Sequence, residues 1–243
     1  MKVLGVIPAR YSSTRFPGKP LAMIKGRSMI EYVVRGVGEN TKLFDLVVAT
    51  DDQRIVDAVH SFGAKAIMTS DTHTSGTSRC AEVALHYPGI DWIINIQGDE
   101  PLFNGKLIDE VIDIMHAQQD AQIITMVRRM EHPREASNHN IVKCVLDLNG
   151  KALYFSRSPI PHFREDREEI YYQHLGIYAY KKEILAALQS LSPTPLELAE
   201  SLEQLRWLEH GYKIHAGITS YIAHGVDVPA DIKKIERILD DPD

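Results

Sequence analysis

The sequence predicts an α/β protein built on a mixed, mainly parallel sheet, and three observations predict it. Short apolar runs alternate with amphipathic segments that open on capping residues, from residue 3 to about residue 127, which is the pattern of βαβ units. The first apolar run leads into a long cationic loop, and open α/β sheets bind ligands beyond the carboxyl ends of their strands. After Pro133 the alternation gives way to a hairpin pattern, which predicts a small antiparallel insertion before the chain returns to its core.

Val3-Leu4-Gly5-Val6-Ile7, closed by Pro8, reads as a buried strand. Ser28 and Glu31, three residues apart, fit a capping box for a helix over 28–39. Residues 46–50 read as a second strand. Asp51 and Asp52 open a helix to residue 62, with Gly63 as its C-terminal cap. A strand over 65–68, a helix over 77–87, a strand over 92–96, a helix that Asn104-Gly105 precedes and that runs to about residue 119, and a strand over 123–127 follow. Residues 141–146 and 151–156 flank Asp147-Leu148-Asn149-Gly150, a hairpin signal. Residues 158–171, with Pro159, Pro161 and a charged run over 164–169, read as an exposed excursion. A strand over 175–180, a helix over 181–191, one longer helix over 195–210, a strand over 213–218 and a last helix over 229–239 complete the pattern. The expected organisation is one domain over 1–243, with an inserted subdomain at about 133–180.

With 243 residues, 44% hydrophobic and 25% charged, the chain can bury a sizeable core. Its start reads as a strand rather than a signal peptide, and no apolar run approaches the roughly 18 residues of a membrane span. Cys80 and Cys144 give neither a disulfide framework nor metal-ligand spacing. A cytoplasmic protein with no membrane partner is expected. The net charge is −6, yet residues 1–30 hold six Lys or Arg and no Asp or Glu, so residues 31–243 carry −12. Such a cationic first loop, holding Arg10, Arg15 and Lys19, suggests a pocket for a multiply charged anion. A solvated loop face is the alternative. The acidic remainder argues against nucleic acid.

There is no P-loop motif, and Gly36-Val37-Gly38 lacks the third glycine of a dinucleotide fingerprint. Gln97-Gly98-Asp99-Glu100-Pro101 follows a strand, which puts Asp99 at the sheet's carboxyl edge, on the side of the basic loop. Mg²⁺ typically takes one or two carboxylates plus phosphate oxygens, although Gly-Asp-x-Pro is also ordinary turn chemistry. Asp227 is a second candidate carboxylate, or simply the cap of the helix that starts near Pro229. Ser75-Gly76-Thr77-Ser78-Arg79 opens a helix, either as an ordinary cap or as a close approach to a ligand. His174 beside a strand and Glu203-Gln204 on a helix have structural readings by themselves.

In this order, Ile7-Pro8-Ala9-Arg10, Ser13-Thr14-Arg15-Phe16-Pro17-Gly18-Lys19-Pro20-Leu21, Ala49-Thr50-Asp51, Ser75-Gly76-Thr77, Gln97-Gly98-Asp99-Glu100-Pro101, Ala152-Leu153-Tyr154-Phe155-Ser156-Arg157, His174-Leu175-Gly176-Ile177-Tyr178, Leu202-Glu203-Gln204-Leu205-Arg206 and Gly225-Val226-Asp227 resemble the 3-deoxy-manno-octulosonate (Kdo) cytidylyltransferases, or CMP-Kdo synthetases, over essentially the whole chain. The resemblance implies a Rossmann-like nucleotidyltransferase fold and a homodimer built through the insertion. It implies conversion of CTP and Kdo into CMP-Kdo and pyrophosphate, with Mg²⁺, for lipopolysaccharide biosynthesis. Arg10, Arg15 and Lys19 would hold the triphosphate, with Ala9 and Ser13 beside them. Ser75, Thr77 and Arg79 would lie at the cytidine. Asp99 and Asp227 would ligate the metal, with Glu100 nearby, and Arg10, Lys19, Asp99 and Asp227 would carry the catalysis. Gln97, Arg157, His174, Tyr178, Glu203 and Gln204 would bind the sugar acid. Where the family commonly reads Val-Asp-Thr-Pro-Glu-Asp, this chain has Val226-Asp227-Val228-Pro229-Ala230-Asp231, which loses a hydroxyl and a carboxylate near the metal position. A cytidylyltransferase for 8-amino-Kdo or sialic acid, and a non-catalytic nucleotide sensor, are the alternatives.

Overall fold

A computed structural model describes residues 1–38, 42–165 and 168–241. The chain divides into two compact units, Met1–Asp109 with Ala223–Asp243, and Glu110–Ile222.

The first unit begins with β1 (Val3–Ala9), which runs through Pro8 rather than stopping at it. A 3-10 turn at Lys19–Leu21 and a hairpin of β2 (Met23–Ile24) and β3 (Arg27–Ser28) occupy the loop expected to be irregular. α1 (Met29–Gly38) follows; the residue expected to end it, position 39, lies outside the described residues. The expected capping box is only half made. The Ser28 hydroxyl accepts from the Glu31 amide at 3.4 Å, but Glu31 gives its carboxylate to Arg35 Nε at 2.8 Å. β4 (Asp45–Thr50), α2 (Gln53–Ser61), β5 (Ala66–Met68), α3 (Gly76–Leu85) and β6 (Trp92–Asn95) continue the alternation, and α4 (Gly105–Ala117) runs from this unit into the second. Asp52 caps α2 by accepting from the Arg54 amide at 2.9 Å. β1 pairs in parallel with β6 on one side and β4 on the other, and β4 pairs in parallel with β5. The carboxyl ends of these strands, Ala9, Thr50, Met68 and Asn95, therefore share one edge. Leu4, Val6, Ile7, Ile93 and Ile94 are fully buried, each contributing about 1.5–3 kcal/mol of transfer free energy.

In the second unit, β7 (Ile123–Arg129) is followed by β8 (Lys143–Leu146) and β9 (Ala152–Ser156), which pair antiparallel as the hairpin signal predicts. Asp147 Oδ1 fixes the turn by accepting from the amides of Asn149 and Lys151, both at 2.8 Å. β10 (Tyr172–Lys181) pairs antiparallel with both β7 and β8, so this sheet is mixed. α5 (Lys182–Ser190) comes next. The single helix expected over 195–210 is instead two, α6 (Pro195–Glu200) and α7 (Glu203–Glu209). The break falls at Ser201, whose φ of +53° is left-handed, a conformation that ends an α-helix. β11 (Ile214–Thr219) pairs in parallel with β7. The chain then re-enters the first unit with a 3-10 turn at Pro229–Asp231 and α8 (Ile232–Asp240), where a single helix was expected. Among the described residues, no helix is long and apolar enough to cross a membrane.

Candidate active site

The first unit holds a cavity of about 490 Å³ at the carboxyl edge of its strands. Ala9 ends β1 at the cavity wall, and the loop beyond it contributes Arg10, Ser13, Arg15 and Lys19. The loop is closed by the Gly18 amide, which donates to the Tyr11 carbonyl at 2.8 Å. Gly18 takes φ of +71° with the Tyr11 ring beside it, so a side chain there would be both strained and crowded. The 3-10 turn then aims Lys19 inward: its Nζ donates to Asp99 Oδ2 at 2.6 Å and to the Val226 carbonyl at 2.9 Å. Gln97, Gly98 and Asp99 line the opposite wall, after β6. Gly98 lies against β1 so closely that a Cβ would meet the Pro8 carbonyl oxygen at 2.8 Å.

Asp227 reaches the same cavity through packing rather than sequence proximity. Val226 is fully buried with Ile24, Met29 and Ile235 in a cluster that joins the β2 strand and α8. Its amide donates to the Asp99 carbonyl at 2.9 Å, which ties the two carboxylate-bearing segments together. Arg15 Nη2 then pairs with Asp227 Oδ1 at 3.2 Å. The helix-cap reading of Asp227 is corrected here. Asp231 Oδ2 accepts from the amides of Asp227 and Val228, at 2.8 and 3.0 Å. Those backbone bonds hold the Asp231 carboxyl below the usual carboxylate range, so Asp231 shapes the turn and leaves the Asp227 carboxylate to the cavity. Asp231 was missed as a site residue, and its signal was its place four residues after Asp227, before α8.

Two carboxylates beside three cations fit a divalent ion held jointly with phosphate oxygens. Among the described residues there is no group of three or more His, Cys, Asp or Glu that could hold a metal without such help.

Ser75 caps α3, its hydroxyl accepting from the Ser78 amide at 3.2 Å. Thr77 and Arg79 are buried in the first turn of that helix. Arg79 Nη2 donates to Asp51 Oδ2 at 3.1 Å and Nη1 donates to the Thr69 hydroxyl. Its guanidinium thus anchors α3 to the ends of β4 and β5.

The second unit gathers the remaining candidates. The Tyr178 ring sits 5.3 Å from that of His174 and 5.1 Å from that of Trp207, and Phe155 meets His174 edge-on at 5.0 Å. The Thr125 hydroxyl donates to the Ile177 carbonyl at 2.8 Å, which satisfies backbone at the register shift of β10. Thr125 Oγ1 also lies within hydrogen-bond distance of His174 Nε2, at 3.1 Å. Burial lowers the His174 pKa to about 3 and raises that of the Tyr178 hydroxyl, so both are neutral near pH 7. Gln204 is buried in the first turn of α7, beside Glu203. Arg157 follows β9, and its guanidinium lies on main-chain carbonyls. Lys143 and Glu200, which hold that region, were missed by motif reading. The only signal for Lys143 was a lysine within the apolar run 141–146.

A family profile described as Cytidylyltransferase matches residues 4–214. The chain is 50% identical to the 3-deoxy-manno-octulosonate cytidylyltransferase of Myxococcus xanthus over 98% of this chain and 96% of the relative. It is 47% identical to the protein of that name from Fusobacterium nucleatum, over 97% and 96% of the two chains. A solved CMP:2-keto-3-deoxy-manno-octonic acid synthetase complexed with CTP superposes with a TM-score of 0.94 at 39% identity, covering 100% of both chains. The 4-diphosphocytidyl-2C-methyl-D-erythritol synthase of Anaerococcus prevotii shares the fold alone, at 14% identity and a TM-score of 0.64 over 98% of this chain and 99% of that one. With motifs, fold and full-length relatives in agreement, the chain belongs to the cytidylyltransferase family, among the 3-deoxy-manno-octulosonate cytidylyltransferases.

Proposed function

We propose that this enzyme transfers the cytidylyl group of CTP to Kdo, releasing pyrophosphate. The carrying observation is the cavity at the strand ends, where Lys19 and Arg15 stand on Asp99 and Asp227. The sugar's anomeric oxygen attacks the α-phosphorus, its bond to phosphorus forms as the α–β bridging bond breaks, pyrophosphate leaves, and the hydroxyl proton passes to solvent. Such a transfer depends on positioning and charge neutralisation more than on covalent catalysis.

Arg10, Arg15 and Lys19, with Ala9 and Ser13, would receive the triphosphate, and Ser75 and Thr77 at the α3 terminus would serve the cytidine. Arg79 would act there by holding α3 in place. Asp99 and Asp227 would hold Mg²⁺, which when bound would neutralise phosphate charge and favour ionisation of the attacking hydroxyl. Gln97, Arg157, His174, Tyr178, Glu203 and Gln204 would contact the sugar acid, with Arg157 on its carboxylate through two parallel hydrogen bonds. We read 1–243 as one nucleotidyltransferase domain whose stretch 133–180 is an inserted, dimer-forming subdomain, and place the enzyme in the cytoplasm. Its two cysteines are buried and in no disulfide, which fits a reducing compartment.

The test is pyrophosphate release from each of the four nucleoside triphosphates with Kdo, 8-amino-Kdo and sialic acid. Rapid release is expected only for CTP with Kdo. Equal rates with all four nucleotides, or faster release with another sugar acid, would overturn the reading.

A further inference from the structure

Arg157 is an unusually constrained arginine for a residue at a strand end. Its Nε donates to the Glu200 carbonyl at 2.7 Å, Nη1 to the His139 carbonyl at 3.0 Å, and Nη2 to the Ser201 carbonyl at 3.4 Å. A guanidinium has five N–H groups, so these bonds leave one proton on each terminal nitrogen. Two of the carbonyls come from the end of α6, where the left-handed Ser201 breaks the helix. Helix C-termini carry unpaired carbonyls and partial negative charge, which suit a cation. The break thus turns two consecutive carbonyls onto one arginine.

Two further charged groups fix the frame. The Glu200 carboxylate accepts from the Ser156 hydroxyl at 2.6 Å and from the Arg157 amide at 2.9 Å. Lys143 is fully buried, and its ammonium donates to the carbonyls of Asn138 at 3.0 Å, of Ile141 at 2.7 Å, and of Arg157. All three ammonium protons are therefore spent on backbone. The loop that Lys143 gathers is the one whose His139 carbonyl meets Arg157. Burial and the Arg157 charge pull the Lys143 pKa down and the Glu200 charge pulls it up, and on balance it stands below that of an ordinary lysine.

We propose that Lys143 and Glu200 are positioning residues. They hold the Arg157 guanidinium in one orientation, with a two-proton fork presented to a planar carboxylate on the acceptor sugar. This rests on the reading of Arg157 as the carboxylate's partner. Backbone carbonyls cancel none of the arginine's charge, so the fork stays fully cationic while its rotamers are fixed before the ligand arrives.

The experiment compares Glu200→Gln, Lys143→Met and Arg157→Ala in the full-length enzyme, by steady-state kinetics and by NMR of Arg157 Nε–H exchange without ligand. Glu200→Gln keeps the shape but puts an amide donor against Ser156 or the Arg157 amide, and it serves if Lys143→Met fails to fold. Glu200→Gln and Lys143→Met are each expected to raise the KM for Kdo roughly 10- to 100-fold, the scale of a misplaced binding group, and Arg157→Ala, which removes the group itself, by more, with the KM for CTP unchanged in all three. In Glu200→Gln and Lys143→Met the Nε–H is expected to exchange faster. Folded variants with unaltered Nε–H exchange and unaltered Kdo KM overturn the inference. An Arg157→Ala enzyme with normal Kdo KM overturns the carboxylate reading instead, and the exchange rates then decide the clamp by themselves.

Discussion

Lys19 and Arg15 in the first unit are partnered by the side chains of Asp99 and Asp227, whereas Arg157 and Lys143 in the second lie on main-chain carbonyls. The Arg15–Asp227 pair is well exposed, with side chains 68% and 60% accessible, and such pairs contribute only about 0–1 kcal/mol. It can exchange at little cost; in the proposed function the carboxylate would turn to a metal and the guanidinium to a phosphate. A carbonyl-held cation has no partner to exchange and simply keeps its charge. The first arrangement suits a polyanion that arrives with its own cation, the second a single carboxylate.

The largest effect is expected at the two carboxylates of the first unit. Asp99→Asn and Asp227→Asn should each lower turnover on the order of 100- to 1,000-fold, the scale for losing one preorganised electrostatic group, with thermal unfolding unchanged. The double variant should be scarcely worse than either single one, because residues that act as a unit are non-additive. Near-normal turnover of Asp227→Asn at saturating Mg²⁺ would leave the metal role to Asp99 alone.

At the fixed cation, Arg157→Ala should weaken Kdo binding by roughly 2–5 kcal/mol, as expected for a desolvated charge pair, while calorimetry finds CTP binding intact. Equal weakening of both ligands would erase the contrast between the units.

The third effect concerns pH. The folded His174 titrates at about 3, against an ordinary value of 6.5, because burial disfavours its charged form. Between those values the unfolded chain takes up a proton that the folded chain refuses, so stability falls as pH drops through that window. The slope from this group is at most about 1.4 kcal/mol per pH unit. His174→Gln should flatten denaturant-derived stability against pH between 6 and 4; an unchanged profile would show that His174 is not the refusing group.

The smallest effect belongs to the helix break. Ser201→Gly should stabilise the protein by up to about 1 kcal/mol, since glycine takes the left-handed conformation without steric cost. A lower melting temperature would mean that the serine side chain itself supports the break.

Much of the first unit was legible in the sequence because its signals are local. Apolar runs, capping residues and the cluster of Arg10, Arg15 and Lys19 follow one another along the chain, and parallel βα units bring their loops to one edge by construction. Lys143 was hidden because a lysine in an apolar run looks like a solvated exception until three carbonyls are seen around it. The α6–α7 break was hidden for a related reason: nothing in Glu200-Ser201-Leu202 forbids a helix, and the carbonyls that turn to Arg157 become a reason to stop only once β9 lies beside them.

The sequence by itself therefore determined the βα alternation, the hairpin, the cationic loop and the family motifs, since each depends on residues within one turn, one strand or one short segment. The tertiary structure alone decided that the Asp231 carboxylate holds the backbone of the turn after Asp227, that Arg79 is an anchor, and that Arg157 is held by the broken end of a helix some forty residues away. Those outcomes depend on which donors and acceptors burial brings together, and a buried polar group must take the partners that packing supplies.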